Sequence, residues 1–265
     1  MYHSLIAGVI QGLLEWLPVS SEGSVAIYLY ITTNLTTEHI LDFTISHHLG
    51  TLLAAIIYFR EDIIKLLIRL PVFIKTILLR HKIKRESPED RLLRFILFSV
   101  FFTVLTGLPI YVKLYHIIGG THVVKYFMLF IGFFLVATGF MEKQTPGTRR
   151  MVDATSIDAT LYGLIQGLSV IPGISRSGIT MFLLLSRKFR QEDALRLSFI
   201  AGIPIIAGAQ LFLAIKSFHF DIVAILSAFI TGYLSIGILL SVAEKINFSN
   251  FCILYGFLTM IFGII

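Results

Sequence analysis

Apolar residues run along the chain in blocks long enough to cross a bilayer, separated by short polar joints. A spanning helix needs about 20 apolar residues, with about 17–25 as the usual range. Segments near 40–59, 94–113, 121–141, 195–216 and 220–242 meet that length, and a sixth, 248–265, ends the chain. Residues 61–79 (EDIIKLLIRLPVFIKTILL) instead alternate basic and apolar positions at helical spacing, the pattern of an amphipathic helix in the membrane interface. Two apolar stretches fall short. Residues 4–19 contain Glu15 and run into PVSSEGS; residues 157–171 run into PGISRSG, followed by another short run, 179–185. A half-helix, a break and a second half-helix form a re-entrant hairpin. Non-helical backbone at membrane depth is tolerated only inside protein or along a wet cavity.

The two short stretches also match each other. At an offset of 155 residues, Gly8, Ile10, Gln11, Gly12, Leu13, Ser20 and Gly23 meet Gly163, Ile165, Gln166, Gly167, Leu168, Ser175 and Gly178. Three spans lie between them, and an odd number of crossings makes the second hairpin enter from the opposite face. The expected fold is all-α and integral to the membrane: six transmembrane helices plus two re-entrant helical hairpins in an inverted-topology repeat. A single membrane domain covers 1–265, with repeat 1 over about 1–141 and repeat 2 over about 157–265. The broken helices of such repeats meet near the midplane and build the site there.

Composition agrees with a multi-pass protein of the cell membrane. Hydrophobic residues make up 56% of the 265, charged residues 14%, and the mean hydropathy is +0.85. The net charge of +6 does not point to nucleic acid, because ten of the 22 Lys and Arg fall between Arg60 and Arg94, beside the spans. There they orient the protein and meet anionic headgroups. With 60–94 in the cytoplasm, 18 of the 22 basic residues lie on that side and both termini lie outside. Cys252 is the one cysteine, so no intrachain disulfide forms, and the N-terminal stretch lacks the basic start of a cleaved signal.

Polar side chains gather at the hairpin tips. One tip supplies Gln11, Glu15, Ser20, Ser21, Glu22 and Ser24; the other supplies Gln166, Ser175, Arg176 and Ser177, with Gly178 closing the turn. Gln11 and Glu15 stand four apart and so project from one helix face. A guanidinium fork suits phosphate. A carboxylate does not bind phosphate directly, but it holds a divalent cation that does. The chemistry implied is that of a phosphate ester or diphosphate inside the membrane. The plainer readings are a Glu15–Arg176 ion pair that joins the repeats, and serines that merely cap helices.

QGLLEWLPVSSEGS and PGISRSGIT resemble the two signature motifs of the undecaprenyl-diphosphatase family, the bacitracin-resistance phosphatases of the membrane. HLGTLLA resembles that family's Gln-Leu-Gly stretch, and the likeness extends over the whole chain. It implies hydrolysis of a polyprenyl diphosphate lipid to the monophosphate, recycling a carrier for envelope glycans, at a site open to the outer face. It implies a divalent cation, Mg or Ca, with Glu15 as the essential metal-linked carboxylate and Gln11 at the other acidic position; Glu22, a further carboxylate of the same tip, is expected as a second metal ligand on its own chemistry. Ser21 matches the proposed nucleophile and Arg176 the phosphate-binding arginine. Gln11, Ser20, Ser24, Gln166, Ser175, Ser177 and Gly178 are expected to line the substrate. Two positions depart from the family: Glu22 stands where Thr is common, and Ser24 where the motif closes with His. His48, in SHHLG at the aligned Gln position, is the residue expected to take that histidine's part; the plainer reading is a histidine hydrogen-bonded between helices. The alternative function is a polyprenyl-phosphate carrier, a flippase without hydrolysis. The pattern leaves the oligomeric state open, a homodimer being compatible with it.

Overall fold

The computed structural model describes residues 2–17, 20–33, 37–78, 86–117, 129, 132–133, 136–137, 139–140, 147–171, 174–214, 221–245, 249–250, 253–254, 256–257 and 260–261. Among these the chain forms nine α-helices: α1 (Tyr2–Leu14), α2 (Ser21–Thr32), α3 (Thr37–Tyr58), α4 (Arg60–Leu78), α5 (Pro88–Ile117), α6 (Ser156–Gly167), α7 (Arg176–Ser186), α8 (Gln191–Ala214) and α9 (Ile222–Lys245). Three stretches within them are long and apolar enough to span a bilayer: Pro88–Lys113, Gln191–Phe212 and Ile222–Ser241. They coincide with three of the expected spans. The expected 40–59 span overlaps α3 as far as Tyr58, and most of 121–141 and 248–265 lies outside the described residues.

Local sequence sets the helix starts. Thr155 and Asp158 cap α6 reciprocally: Thr155 Oγ1 accepts from Asp158 N at 3.2 Å, and the Asp158 carboxylate accepts from Thr155 N at 2.9 Å. Ser20 and Ser175 cap α2 and α7 in the same way, each hydroxyl oxygen accepting from the glycine three residues on, at 3.1 Å. The sequence of α4 places Leu66 and Phe73 inward and leaves Ile64, Leu67, Ile68 and Val72 outward. Ion pairs tie α4 down, Arg69 to Asp90 at 2.8 Å and Asp62 to Arg196 at 2.6 Å.

The two short-helix pairs are closed at their open ends. Fully buried Asp158 holds Arg149 at 2.6 Å and Arg187 at 2.7 Å, fastening the start of α6 to the end of α7. In the first pair His3 Nδ1 meets the Tyr28 hydroxyl at 3.2 Å, joining α1 to α2. Below these ends a shared core forms, in which Trp16 packs on Phe199 at 5.0 Å and Phe95 on Tyr162 at 5.1 Å.

The short helices α1 and α6 each cross a long helix through two glycines. A Cβ on Gly8 would sit 2.4 Å from Ala224 O, and one on Gly12 2.6 Å from Gly232 N, so α1 lies backbone to backbone on α9. The same holds for α6 on α5, where Gly163 would meet Ser99 O at 2.5 Å and Gly167 would meet Gly107 N at 2.9 Å. Small residues four apart permit such close crossings between membrane helices. Gly167→Ala must force α6 off α5, because the new methyl would also lie 1.8 Å from Thr106 Oγ1. We expect a loss of about 1–3 kcal/mol, seen as a lowered unfolding temperature in detergent. Gly208→Ala, where nothing lies within 4 Å, serves as control; equal behaviour of the two variants would sink the tight-crossing account.

Candidate functional site

Glu15 sits in the turn just past α1, with its backbone N–H still donating to Gln11 O at 2.9 Å. Its carboxylate is the hub of the site. Oε2 accepts from Gln11 Nε2 at 2.8 Å and from Ser21 Oγ at 2.8 Å. Oε1 accepts from Arg176 Nη2 at 3.3 Å, with the two side chains only 6% and 11% exposed. His48 on α3 completes the group: Gln11 Nε2 lies 3.1 Å from its Nδ1, and its Nε2 lies 3.7 Å from Glu15 Oε2. With Gln11 as donor to Nδ1, the ring proton sits on Nε2, toward Glu15. Of the adjacent pair it is His48 that meets the carboxylate, while His47 is fully buried.

The second tip is fastened to the first at a main-chain oxygen. Ser177 Oγ donates to Leu17 O at 2.6 Å and Ser175 Oγ at 3.3 Å, while the two hydroxyls lie 3.0 Å apart. That fixes where Arg176 stands. Its guanidinium lies 5.9 Å from the Trp16 ring, within cation–π range, and Nη1 approaches Ser198 O at 3.4 Å. Gly202 makes the room: a Cβ there would be 2.1 Å from Nη1.

Gln11, Glu15, Ser21, His48 and Arg176 are therefore brought together, and Ser175 and Ser177 stand beside them. Ser20 caps α2, and Ser24 Oγ donates to Ser20 O at 2.9 Å, both within their own helix. Gly178 N is taken up by the Ser175 cap. Gln166 goes elsewhere. It is fully buried where α6 crosses α5, with Oε1 3.4 Å from Thr103 Oγ1 and Nε2 without a hydrogen-bond partner. Matching Gln11 in sequence does not bring Gln166 to Glu15, because α6 packs its Gln166 face on α5. Trp16, Ser198 and Gly202 were not among the residues expected at the site. They shape Arg176 through tertiary contacts; Trp16 stands inside the QGLLEWLPVSSEGS stretch, and no motif marks Ser198 or Gly202.

Among the described residues no three His, Cys, Asp or Glu side chains gather as a ready metal site. Glu22 is half-buried in the first turn of α2. Oxygen donors do flank the hub: buried Gln11 Oε1 has no hydrogen-bond partner, and Ser21 Oγ is adjacent to the carboxylate. A hard divalent cation that keeps several waters and takes one or two protein oxygens plus phosphate oxygens fits such a set.

Residues 4–264 match the family described as Bacitracin resistance protein BacA. The chain is 36% identical over 267 residues to an undecaprenyl-diphosphatase of Methanococcoides burtonii, covering 98% of this chain and 97% of the relative. It is 34% identical over 267 residues to one of Methanothrix thermoacetophila, covering 97% and 95%. A bacterial relative of the same name, from Desulforapulum autotrophicum, is 32% identical over 280 residues, covering 100% and 99%.

Proposed function

Because this chain belongs to the BacA bacitracin-resistance family, we propose that it hydrolyses an undecaprenyl-type diphosphate to the monophosphate and inorganic phosphate. The three relatives above carry the name of that hydrolase, not of a carrier. The observation that carries the reading is the double hold on Glu15, one carboxylate accepting from Ser21 of the first tip and Arg176 of the second. A hydroxyl, its base and the group that orients the base, all in hydrogen-bond reach, make an activated nucleophile.

In this mechanism Ser21 Oγ attacks the terminal phosphorus and its proton passes to Glu15. The bridging oxygen leaves with the prenyl monophosphate, taking a proton relayed through His48. Water then attacks the phosphoserine, its proton passes through the same pair to Ser21 Oγ as the Oγ–P bond breaks, and inorganic phosphate departs. Arg176 has five N–H donors and spends two contacts on Glu15 and Ser198, which leaves donors for phosphate oxygens. Ser21 and Arg176 are also the first residues of α2 and α7, so two helix N-termini face the anion. Glu15 and Gln11 would hold a divalent cation, with Glu22 the other acidic side chain of that tip; bound there, it would neutralise phosphate charge.

The fuller architecture belongs to the same proposal: six spans, two re-entrant hairpins, inverted repeats, and a site open to the outer face. Closure of α6 to α7 through Asp158, and of α1 to α2 through His3, supports a chain that leaves on the side it entered. Paired glycine crossings of α1 on α9 and α6 on α5 support the repeat.

The deciding experiment is phosphate release from a polyprenyl diphosphate by purified protein with Mg²⁺ or Ca²⁺, with and without chelator. No release overturns the hydrolase; release indifferent to chelator removes the metal. A narrower test is Arg176→Lys, which keeps the charge but not the fork. Losing one charge-assisted bond of about 1.5–3 kcal/mol predicts a fall of roughly ten- to a hundredfold in kcat/KM. Turnover near wild type would make Arg176 a structural partner of Glu15 only.

A further inference from the structure

Behind Arg176, away from Glu15, lies a buried polar array that the mechanism above does not use. Tyr162 on α6 is 0% exposed, yet its hydroxyl donates to Ser198 O at 3.1 Å, the same carbonyl that Arg176 Nη1 approaches at 3.4 Å. Thr180, one turn after Arg176 on α7, reaches the same residue from another side. Its Oγ1 lies 2.8 Å from Ser198 Oγ and also donates to Arg176 O at 2.8 Å. Arg176 and Thr180 are polar neighbours of the Tyr162 hydroxyl as well. The Phe95 ring packs edge-on against the phenol at 5.1 Å.

We infer that Tyr162, seconded by Thr180, is a positioning residue for the phosphate-binding guanidinium, acting through the Ser198 carbonyl; this rests on Arg176 contacting the diphosphate. The physical reason is that the Arg176–Ser198 contact is long, near the limit of a hydrogen bond. Alone it would not set the guanidinium plane. The Ser198 carbonyl is fixed within α8, and a buried phenol on it leaves Arg176 Nη1 a restricted approach, which the gap at Gly202 and the indole of Trp16 narrow further. A guanidinium so fixed presents its free donors in one plane, which bidentate recognition requires. Hydroxyls are not buried at this depth without a partner, and here the partner is the atom that steers Arg176.

The test is Tyr162→Phe, which removes one oxygen from a filled position. Removal of one neutral hydrogen bond predicts a fall in kcat/KM of about three- to tenfold. Made in the Arg176→Lys background, the same change should have no further effect, because the fork it positions is gone. A second readout does not need turnover. Trp16 is the chain's one tryptophan, so its emission reports the guanidinium 5.9 Å away. Tyr162→Phe should shift that emission in the direction that Arg176→Lys does. Unchanged emission with full turnover overturns the inference, and so does an equal fold-loss in both backgrounds, which would mark a merely structural phenol. Should wild-type protein release no phosphate, the hydrolase reading fails, while the emission still decides whether Tyr162 sets Arg176.

Discussion

Protein carrying Glu15→Gln will bind in the membrane as before but release no measurable phosphate from a polyprenyl diphosphate. The substitution keeps the shape of the side chain, yet it removes the base that accepts from Ser21 and the charge that faces Arg176. Loss of a general base alone lowers rates by about 10²–10⁴. Some destabilisation accompanies it, since an arginine only 11% exposed loses its counter-charge. Unfolding temperature must therefore be measured beside turnover. Gln11→Glu is the companion variant: it adds a carboxylate where an unpartnered amide oxygen already lies, and hard cations favour carboxylate ligands. It should keep or raise metal-dependent activity. Equal loss in both variants at unchanged expression would reduce this helix face to packing.

The second large effect is expected at His48. His48→Gln restores the residue that the family carries before Leu-Gly, but it takes away the ring that stands 3.7 Å from Glu15 Oε2. If this imidazole relays the proton, turnover should fall by about a hundredfold or more. Ser24→His, added to His48→Gln, should bring most of it back by returning a histidine to the motif position on α2. Full activity of His48→Gln alone would show that Ser21, Glu15 and the cation suffice without any histidine.

How far the sequence reached differs from residue to residue. The breaks at 15–20 and 171–175 were legible because Pro, Gly and Ser interrupt apolar runs too short to span. Helical spacing of Gln11 and Glu15 predicted their shared face, and they share it at 2.8 Å. The Glu15–Arg176 pairing across the two tips was open to the sequence only as the plainer, structural reading, and the two groups do meet at 3.3 Å. Gln166 shows the limit: an offset in sequence gives equivalence, not proximity, and only the fold tells which equivalent positions meet. Tyr162, Thr180, Ser198 and Gly202 were invisible for another reason. Tyr162, Ser198 and Gly202 lie within apolar helices at no distinctive spacing, Thr180 ends the PGISRSGIT stretch without being singled out there, and the part of each depends on which atom of a neighbour it touches.

The crossings of α1 on α9 and α6 on α5 bear on how the protein is made. The helix that seats α1 lies near the far end of the chain, so synthesis delivers α1 with Gln11 and Glu15 long before its groove exists. By contrast, α6 emerges after α5 and finds its seat at once. The two crossings therefore close at different stages of synthesis: α6 can dock on α5 as it emerges, whereas α1, which carries Gln11 and ends beside Glu15, reaches its full seat only after α9.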